Sequence, residues 1–347
     1  MTAANKGKLI TPGDESMLIE TTDMHTCGEP LRIITGGLPV LEGSGILERR
    51  KYFADNYDHL RTALMLEPRG HADMYGAVLT EPLSEGADLG AFFMHNEGYS
   101  TMCGHAIIAL TKYAIESGLV RREGSRQVLE IDVPAGRVRS TAYVKDGKVD
   151  KVSFLNVPSF LLLKDETIEL GGVGRVHFDV AFGGAFYAFC DAGELGLNMD
   201  ESDYNKLIDY GKKIKLSVME NFRIDHPEEP ELGFLYGTIF TGPAYDLDNW
   251  SRNVCVFASG QVDRSPTGTG ISARAALHYA KGELPLNRTV TIESILGSTM
   301  DVEIMEVVDY GPYRAVIPEV RARAYYTGRH EFRIDSDDPL REGFIFR

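Results

Sequence analysis

Residues 103–110 read Cys-Gly-His-Ala-Ile-Ile-Ala-Leu, and residues 267–277 read Thr-Gly-Thr-Gly-Ile-Ser-Ala-Arg-Ala-Ala-Leu. Both stretches open with glycine and continue with small apolar residues. In each, a glycine fifteen positions after the first residue, Gly118 or Gly282, suits the position just beyond a helix C-terminus. A helix that is apolar on most sides is expected to be buried. We therefore predict two buried helices built on one plan.

The segments upstream of these two helices repeat the same order. A strand-like run precedes each helix, Ala91–Met94 in one case and Val254–Ala258 in the other. Further upstream, Leu47–Met65 and Asp200–Met219 place apolar residues at helical spacing, and Asp200 is a suitable N-cap. The sequence thus predicts an α+β fold of two pseudosymmetric halves, each a sheet or barrel around one central helix.

Composition excludes several classes of protein. The 347 residues include 36 Lys and Arg against 51 Asp and Glu, a formal net charge of −15, which has the wrong sign for gripping a phosphate backbone. The longest nearly apolar run, Phe178–Cys190, is short for a membrane span and contains Asp179. The first twenty residues lack the apolar core of a secretion signal, and the four cysteines are too sparse for a disulfide framework. We expect a cytoplasmic protein without nucleic-acid or membrane partners.

Cys103 stands where a helix N-terminus can change its chemistry. The unpaired N–H groups of the first turn bind anions and stabilise a thiolate, and Gly104 lets a ligand approach the backbone closely. A free thiol has a pKa of about 8.5, and helix N-termini lower it. Cys103 is therefore a candidate catalytic thiolate. The alternative is that it is a buried small apolar residue, as most lone cysteines are.

Metal binding is a weaker interpretation of the cysteine and histidine pattern. Cys103 with His105, and His25 with Cys27, are each separated by one residue, whereas structural zinc sites use two well-spaced pairs. We predict that no metal or organic cofactor is needed. Cys27 and Cys255 lie in turn-like or strand-like settings and are predicted to be packing residues.

Four blocks of the sequence resemble those of a known family. Residues His95–His105 and Asp263–Gly270 resemble the two signatures of the proline racemase family, and His25–Pro30 and Glu67–Gly76 are similar to further blocks. The resemblance implies the diaminopimelate-epimerase-like fold, with a small imino-acid substrate in the cleft between the two halves. We expect a first half over residues 17–155, joined by 323–347, and a second half over 156–322. A homodimer is one assembly that we expect.

One departure from the family pattern bears on the reaction. Proline racemases and 4-hydroxyproline epimerases have a second cysteine where this chain has Thr267. A threonine hydroxyl is too weak an acid, and its alkoxide too rare, to exchange an α-proton near neutral pH. The Cys/Thr pair resembles the trans-3-hydroxy-L-proline dehydratases of this family, which are hydro-lyases that form Δ1-pyrroline-2-carboxylate.

The resemblance also implies a role for each site residue. Cys103 would act as the single base and acid, and Asp263 would bind the ring ammonium. The carboxylate would be held by the N–H groups of Gly104, His105, Gly268 and Thr269. Thr267 would donate a further hydrogen bond. Asp263 has an alternative role as a turn cap before Pro266. Two other functions stay open: a proline racemase or hydroxyproline 2-epimerase in which water replaces the second acid, and an inactive protein that only binds an imino acid.

Overall fold

A computed structural model of the chain describes residues 16–346. The part of the chain searched for a secretion signal lies largely outside these residues. The described chain contains four α-helices, which are α1 (Ile46–Met65), α2 (Gly104–Glu116), α3 (Tyr204–Asn221) and α4 (Gly268–Ala280). Among residues 16–346, no helix is both long and apolar enough to cross a membrane.

Strands make up most of the fold. Nine of them lie before residue 171: β1 (Met17–Thr26), β2 (Glu29–Gly36), β3 (Tyr75–Thr80), β4 (Leu89–His95), β5 (Gly98–Ser100), β6 (Arg126–Val133), β7 (Gly136–Lys145), β8 (Lys148–Leu155) and β9 (Phe160–Leu170). Nine more follow: β10 (Gly174–Phe182), β11 (Phe186–Asp191), β12 (Leu235–Gly242), β13 (Ser251–Phe257), β14 (Gln261–Asp263), β15 (Val290–Glu293), β16 (Thr299–Tyr310), β17 (Tyr313–Ala322) and β18 (Ala324–Ile334). All of them belong to one hydrogen-bonded sheet system.

The strand pairings repeat and establish the predicted α+β fold of two pseudosymmetric halves. In the first half β2 runs parallel to β3, β3 is antiparallel to β4, and β4 pairs with both β5 and β6. In the second half β11 is parallel to β12, β12 is antiparallel to β13, and β13 pairs with both β14 and β15. The last strand, β18, pairs with β1, and β17 pairs with β8 across the two halves. The domain edges at residues 155 and 322 remain predictions.

Each half wraps its strands around one apolar helix. Helix α2 packs against β1, β7 and β8, and helix α4 packs against β9, β10 and β17. Both helices end before a glycine with positive φ, Gly118 at +75° and Gly282 at +77°, which confirms the predicted ends. The outer helices α1 and α3 cover β4 and β12 respectively. Asp200 caps a short 3₁₀ turn, Glu201–Asp203, that precedes α3, rather than α3 itself.

The N-termini of α2 and α4 meet at the centre of the molecule. A Cβ atom built on Gly104 would lie 3.1 Å from the Cα of Gly268 and 2.8 Å from Cζ of Phe154. A Cβ atom at Gly104 would crowd the opposing backbone and the Phe154 ring, so glycine suits this close contact. This contact brings residues 103 and 267 to one place.

We expect Gly104→Ala to lower the free energy of unfolding by about 1–3 kcal/mol, the usual cost of overpacking a close-packed core. Chemical denaturation followed by circular dichroism measures the change. Gly171→Ala is the matched control, because a Cβ at Gly171 meets nothing within 4 Å and its φ is not positive. Equal stability of the two variants would contradict the close approach of the helices.

Candidate active site

The two facing helix N-termini form the floor of a pocket. Cys103 is the N-cap of α2 and Thr267 is the N-cap of α4. Their carbonyl oxygens accept the first intrahelical hydrogen bonds, from Ile107 at 3.0 Å and from Ile271 at 2.8 Å. The N–H groups before these donors have no intrahelical acceptor, so both helices direct N–H groups and positive dipole ends to the same place. The arrangement suits a carboxylate.

The pocket brings together every residue that the sequence predicted for the site, along with several that it missed. The lining consists of Glu29, Tyr75, Met102, Cys103, Gly104, His105, Tyr187, Tyr236, Cys255, Phe257, Asp263, Thr267, Gly268 and Thr269. In this conformation the free volume is small, about 30 Å³.

Cys103 is held in a buried polar environment. Its side chain is 6% exposed, and its sulfur lies 3.0 Å from Nδ1 of the His105 imidazole. Burial raises the pKa of the Cys103 thiol, and the carboxylates of Asp263 and Glu29 raise it further. The backbone N–H of Ala106 and the Tyr75 hydroxyl act in the opposite direction. The expectation of a lowered pKa was wrong for this conformation, because desolvation outweighs the helix N-terminus.

His105 is neutral beside this thiol. Burial lowers the pKa of the His105 imidazole to about 3. The ring packs edge-on against Tyr75, with ring centroids 4.8 Å apart. The sulfur and the imidazole therefore form a neutral pair rather than a thiolate–imidazolium pair. Any thiolate must arise when the charges around the pocket change.

The position of Asp263 is compatible with both of the roles that the sequence left open. One carboxylate oxygen accepts the backbone N–H of Ser265 at 2.7 Å, which is the turn cap before Pro266. The same side chain lines the pocket, and burial raises the pKa of its carboxyl despite hydrogen bonds from Ser265. A buried carboxylate is stabilised by a cation. Asp263 is therefore placed to accept a ligand ammonium.

Thr267 has an unusual backbone conformation. Its φ is +70° and its ψ is 93°, whereas β-branched residues rarely adopt positive φ. The residue is 5% exposed, and its Oγ1 makes no hydrogen bond of good geometry among the described residues, although it lies near the Cys255 thiol and the Asp263 carboxyl. Strained residues and unpaired buried hydroxyls are both costly and tend to occur at functional sites. The hydroxyl is available to a ligand in the pocket.

Cys255 and two tyrosines were not predicted to belong to the pocket wall. Cys255 lies on β13 directly opposite Asp263 and beside Thr267, so it faces the pocket as well as packing in the core. The Tyr187 hydroxyl hydrogen-bonds to Oγ1 of Thr269 at 2.7 Å, and the Tyr236 ring stacks on Phe257. The alternation of Cys255 with Phe257 along one strand face is the signal that could have placed Cys255 here.

Glu29 closes the pocket from the first half. It begins β2 after a tight turn at Cys27 and Gly28, both with positive φ. Its carboxylate accepts the backbone N–H of Arg264 at 2.8 Å and lies 3.3 Å from Nε of that arginine. Burial raises the pKa of Glu29, and Asp263 contributes to the increase. The hairpin turn therefore joins the two halves directly beside Asp263.

The other predicted packing cysteine lies away from the pocket. The Cys27 sulfur donates to the carbonyl of Thr299 at 3.2 Å.

In the part of the chain that the structure describes, no three side chains of His, Cys, Asp or Glu are grouped in a way that could hold a metal ion.

The fold and the pocket together define a class of enzyme in which two helix N-termini face one another between two pseudosymmetric halves, with a thiol at one of them. The sequence profile of the proline racemase family matches residues 21–345, and the chain belongs to this family.

Individual proteins resemble this chain over most of its length. A trans-3-hydroxy-L-proline dehydratase from Colwellia psychrerythraea is 51% identical over 95% of this chain and 93% of its own length. A human protein of the same name is 44% identical over 95% of both chains. The crystal structure of a hydroxyproline epimerase from Agrobacterium vitis with bound trans-4-OH-L-proline matches with a TM-score of 0.88, 29% identity and 95% coverage of each chain.

Alkylation of Cys103 by iodoacetamide is expected to be slow near neutral pH and to accelerate with rising pH beyond the range of a free thiol. Because a raised pKa leaves little thiolate, the alkylation rate should still increase about tenfold per pH unit at about pH 9. The alkylation rate of a free thiol levels off near its pKa of about 8.5. Mass spectrometry of the Cys103 peptide gives the rates, with Cys103→Ala as the control. A plateau at neutral pH would show that the thiol is already ionised.

Proposed function

We propose that this chain is a trans-3-hydroxy-L-proline dehydratase that eliminates water to give Δ1-pyrroline-2-carboxylate. The observation that carries the proposal is the pair of facing helix caps, a thiol at Cys103 and a hydroxyl at Thr267. Relatives named for this reaction at 44% and 51% identity support it. The reaction is that of a hydro-lyase, and the proposal needs no metal or organic cofactor.

The stereochemistry of the substrate fits a single active face. In the trans isomer the 3-hydroxyl and the carboxylate lie on opposite faces of the ring. The α-hydrogen also lies opposite the carboxylate, so the hydrogen and the leaving hydroxyl share one face. A base on that face can remove the proton, and the proton can return to the departing hydroxyl. Syn elimination therefore needs no acid or base on the Thr267 side.

The floor and the wall of the pocket would hold the two charges of the substrate. We assign the carboxylate to the N–H groups of Gly104, His105, Gly268 and Thr269. Negative charge that develops at the α-carbon during proton removal would be stabilised by the same fixed donors. The ring ammonium would lie against Asp263, because a buried carboxylate is the appropriate partner for a cation. Thr267 Oγ1 would donate a hydrogen bond.

Substrate binding would also activate Cys103. The negative charge of Asp263 is one cause of the raised pKa of the Cys103 thiol. Burial is the larger cause and would remain, but a bound ammonium would cancel the charge of Asp263 and lower the pKa of the thiol. Cys103 could then act as the thiolate that removes the α-proton and later gives a proton back. The base would thus form more readily when the substrate is in place.

Two rival functions can be distinguished by assay. A proline racemase or hydroxyproline 2-epimerase would need an acid on the Thr267 side, where Cys255 is the nearest thiol. Cys255 lies within β13 rather than at a helix N-terminus, so it lacks the N–H groups that would stabilise its thiolate. An inactive imino-acid-binding protein would bind substrate without turnover. The cytoplasmic location and the homodimer remain predictions.

Incubation of the pure protein with trans-3-hydroxy-L-proline should consume the substrate, and Cys103→Ser should slow this reaction by about 10²–10⁴, the usual contribution of a positioned base. Substrate loss is followed by nuclear magnetic resonance, beside a chiral assay of L-proline. Thermal unfolding of Cys103→Ser confirms that the fold is intact. Racemisation of proline without loss of the hydroxyproline would favour the racemase, and a mutant retaining a tenth of the wild-type rate would exclude Cys103 as the base.

Thr267→Cys should introduce racemisation of proline or 2-epimerisation of 4-hydroxyproline while dehydration continues. The new thiol would stand at the second helix N-terminus and supply an acid on the opposite face, though imperfect positioning would keep the rate low. Wild-type protein should exchange the α-hydrogen of L-proline only with retention of configuration. A reducing agent is needed, because Cys255 lies beside position 267. Rapid racemisation by the wild type would show that Thr267 is no barrier.

A further inference from the structure

The buried phenol of Tyr75 is a polar group of the pocket that the proposed mechanism does not yet use. Tyr75 begins β3, is 4% exposed, and lines the pocket beside Cys103. Its hydroxyl hydrogen-bonds to Oγ of Ser100, and its electrostatic influence reaches the Cys103 thiol, which lines the same pocket. Tyr236 lines the pocket from the second half. The ring edge of Tyr75 against His105 fixes its direction.

The proposed dehydration leaves a chemical step that Cys103 alone performs poorly. The base must lie against the α-carbon to remove its proton, whereas the leaving hydroxyl is on the next ring carbon. Hydroxide is a poor leaving group, so a proton donor must be within hydrogen-bonding distance as the C–O bond breaks. A donor on the same face, lining the same pocket as the sulfur, would satisfy both geometric requirements. Tyr75 is such a donor.

Resting on the dehydratase function above, we propose that Tyr75 is the catalytic acid that protonates the departing 3-hydroxyl, and that Cys103 then returns the α-proton to Tyr75. The Cys103 thiolate takes the α-proton, so that an S–H bond forms as the C–H bond breaks. The electron pair forms the C2–C3 double bond while the C3–O bond breaks. The Tyr75 proton completes water, and the S–H proton passes to the Tyr75 oxygen. Thiolate and phenol are restored, with no external proton required.

The neighbouring groups are less suitable for this step. Burial raises the pKa of Tyr75, so the phenol keeps its proton until a strong base such as departing hydroxide forms beside it. His105 also touches the sulfur, but its neutral imidazole carries a weakly acidic N–H proton. Ser100 contacts the phenol without being part of the pocket lining. Tyr187 lines the pocket, but its hydroxyl is bonded to Thr269, on the other helix.

The test compares two leaving groups in Tyr75→Phe. We expect elimination of water from trans-3-hydroxy-L-proline to fall by about 10²–10⁴, because the acid is lost. Elimination of fluoride from trans-3-fluoro-L-proline should stay within about tenfold of wild type, since fluoride leaves without protonation and only the hydrogen bond to the thiolate is lost. Retained fluoride release also shows that the variant is folded with Cys103 in place. In deuterium oxide, Tyr75→Phe should exchange the α-hydrogen of trans-3-hydroxy-L-proline for deuterium faster than it eliminates water from this substrate.

Two further variants complete the design. Tyr187→Phe removes a phenol of the same pocket and should change both eliminations by the same factor. Ser100→Ala, which leaves the pocket lining intact, should slow loss of water more than loss of fluoride, and it tests the proposal if Tyr75→Phe does not fold.

The outcomes separate this proposal from the one on which it rests. Equal losses with both leaving groups in Tyr75→Phe, or no loss with either, would overturn the role of Tyr75 while the dehydratase function stands. A wild-type protein that eliminates neither water nor fluoride would overturn both.

Discussion

The contact between Gly104 and Gly268 is the constraint on which the rest of the structure depends. Two helices that meet end to end can share one ligand only if their first turns carry no side chains at the point of contact. Glycine at both positions allows backbone atoms to approach where a Cβ atom would lie 3.1 Å from the opposing Cα. The N-caps, Cys103 and Thr267, are then fixed on opposite sides of the shared space. The strands of both halves wrap the helices and keep this contact close-packed.

Close approach of the helices also buries charge, and this burial shapes the chemistry. Asp263 and Glu29 lie in one desolvated pocket with the Cys103 thiol, and burial raises the pKa of all three groups. Such a pocket is poorly matched to water and well matched to a zwitterion, which brings a cation for Asp263 and an anion for the helix N-termini. The N–H groups of the helix ends favour a thiolate at Cys103, whereas desolvation opposes it, and the charges of the ligand would shift this balance. The charges that select the ligand would therefore also help to ionise the thiol.

The central helices were predictable because their signals are local. Glycine at both ends and small apolar residues between them define α2 and α4 to within one residue, and the outer helix α1 is found by its apolar spacing. Several strands were not predicted. Strands β9 and β18 have many exposed residues that do not alternate clearly, whereas β11 and β12 are mostly buried. Glu29, Tyr187 and Tyr236 reach the pocket through strand pairing across long separations, which one sequence does not reveal. The direction of the Cys103 pKa depends on burial and on two distant carboxylates, so the local argument gave the wrong sign.

The pseudosymmetry of the fold favours chemistry on both faces of a substrate, and the side chains around the two caps remove that equivalence. On the α2 side, the Cys103 sulfur is surrounded by groups that can exchange or orient a proton, the His105 imidazole and the Tyr75 phenol. On the α4 side, Thr267 offers a hydroxyl in a strained backbone conformation beside Cys255. Thr267 alone would make the second face inert, but a one-sided elimination also requires that the first face both accept and donate a proton. The asymmetry therefore extends beyond one cysteine-to-threonine difference to the polar partners of Cys103, and those partners decide whether removal of the α-proton leads to exchange or to loss of water.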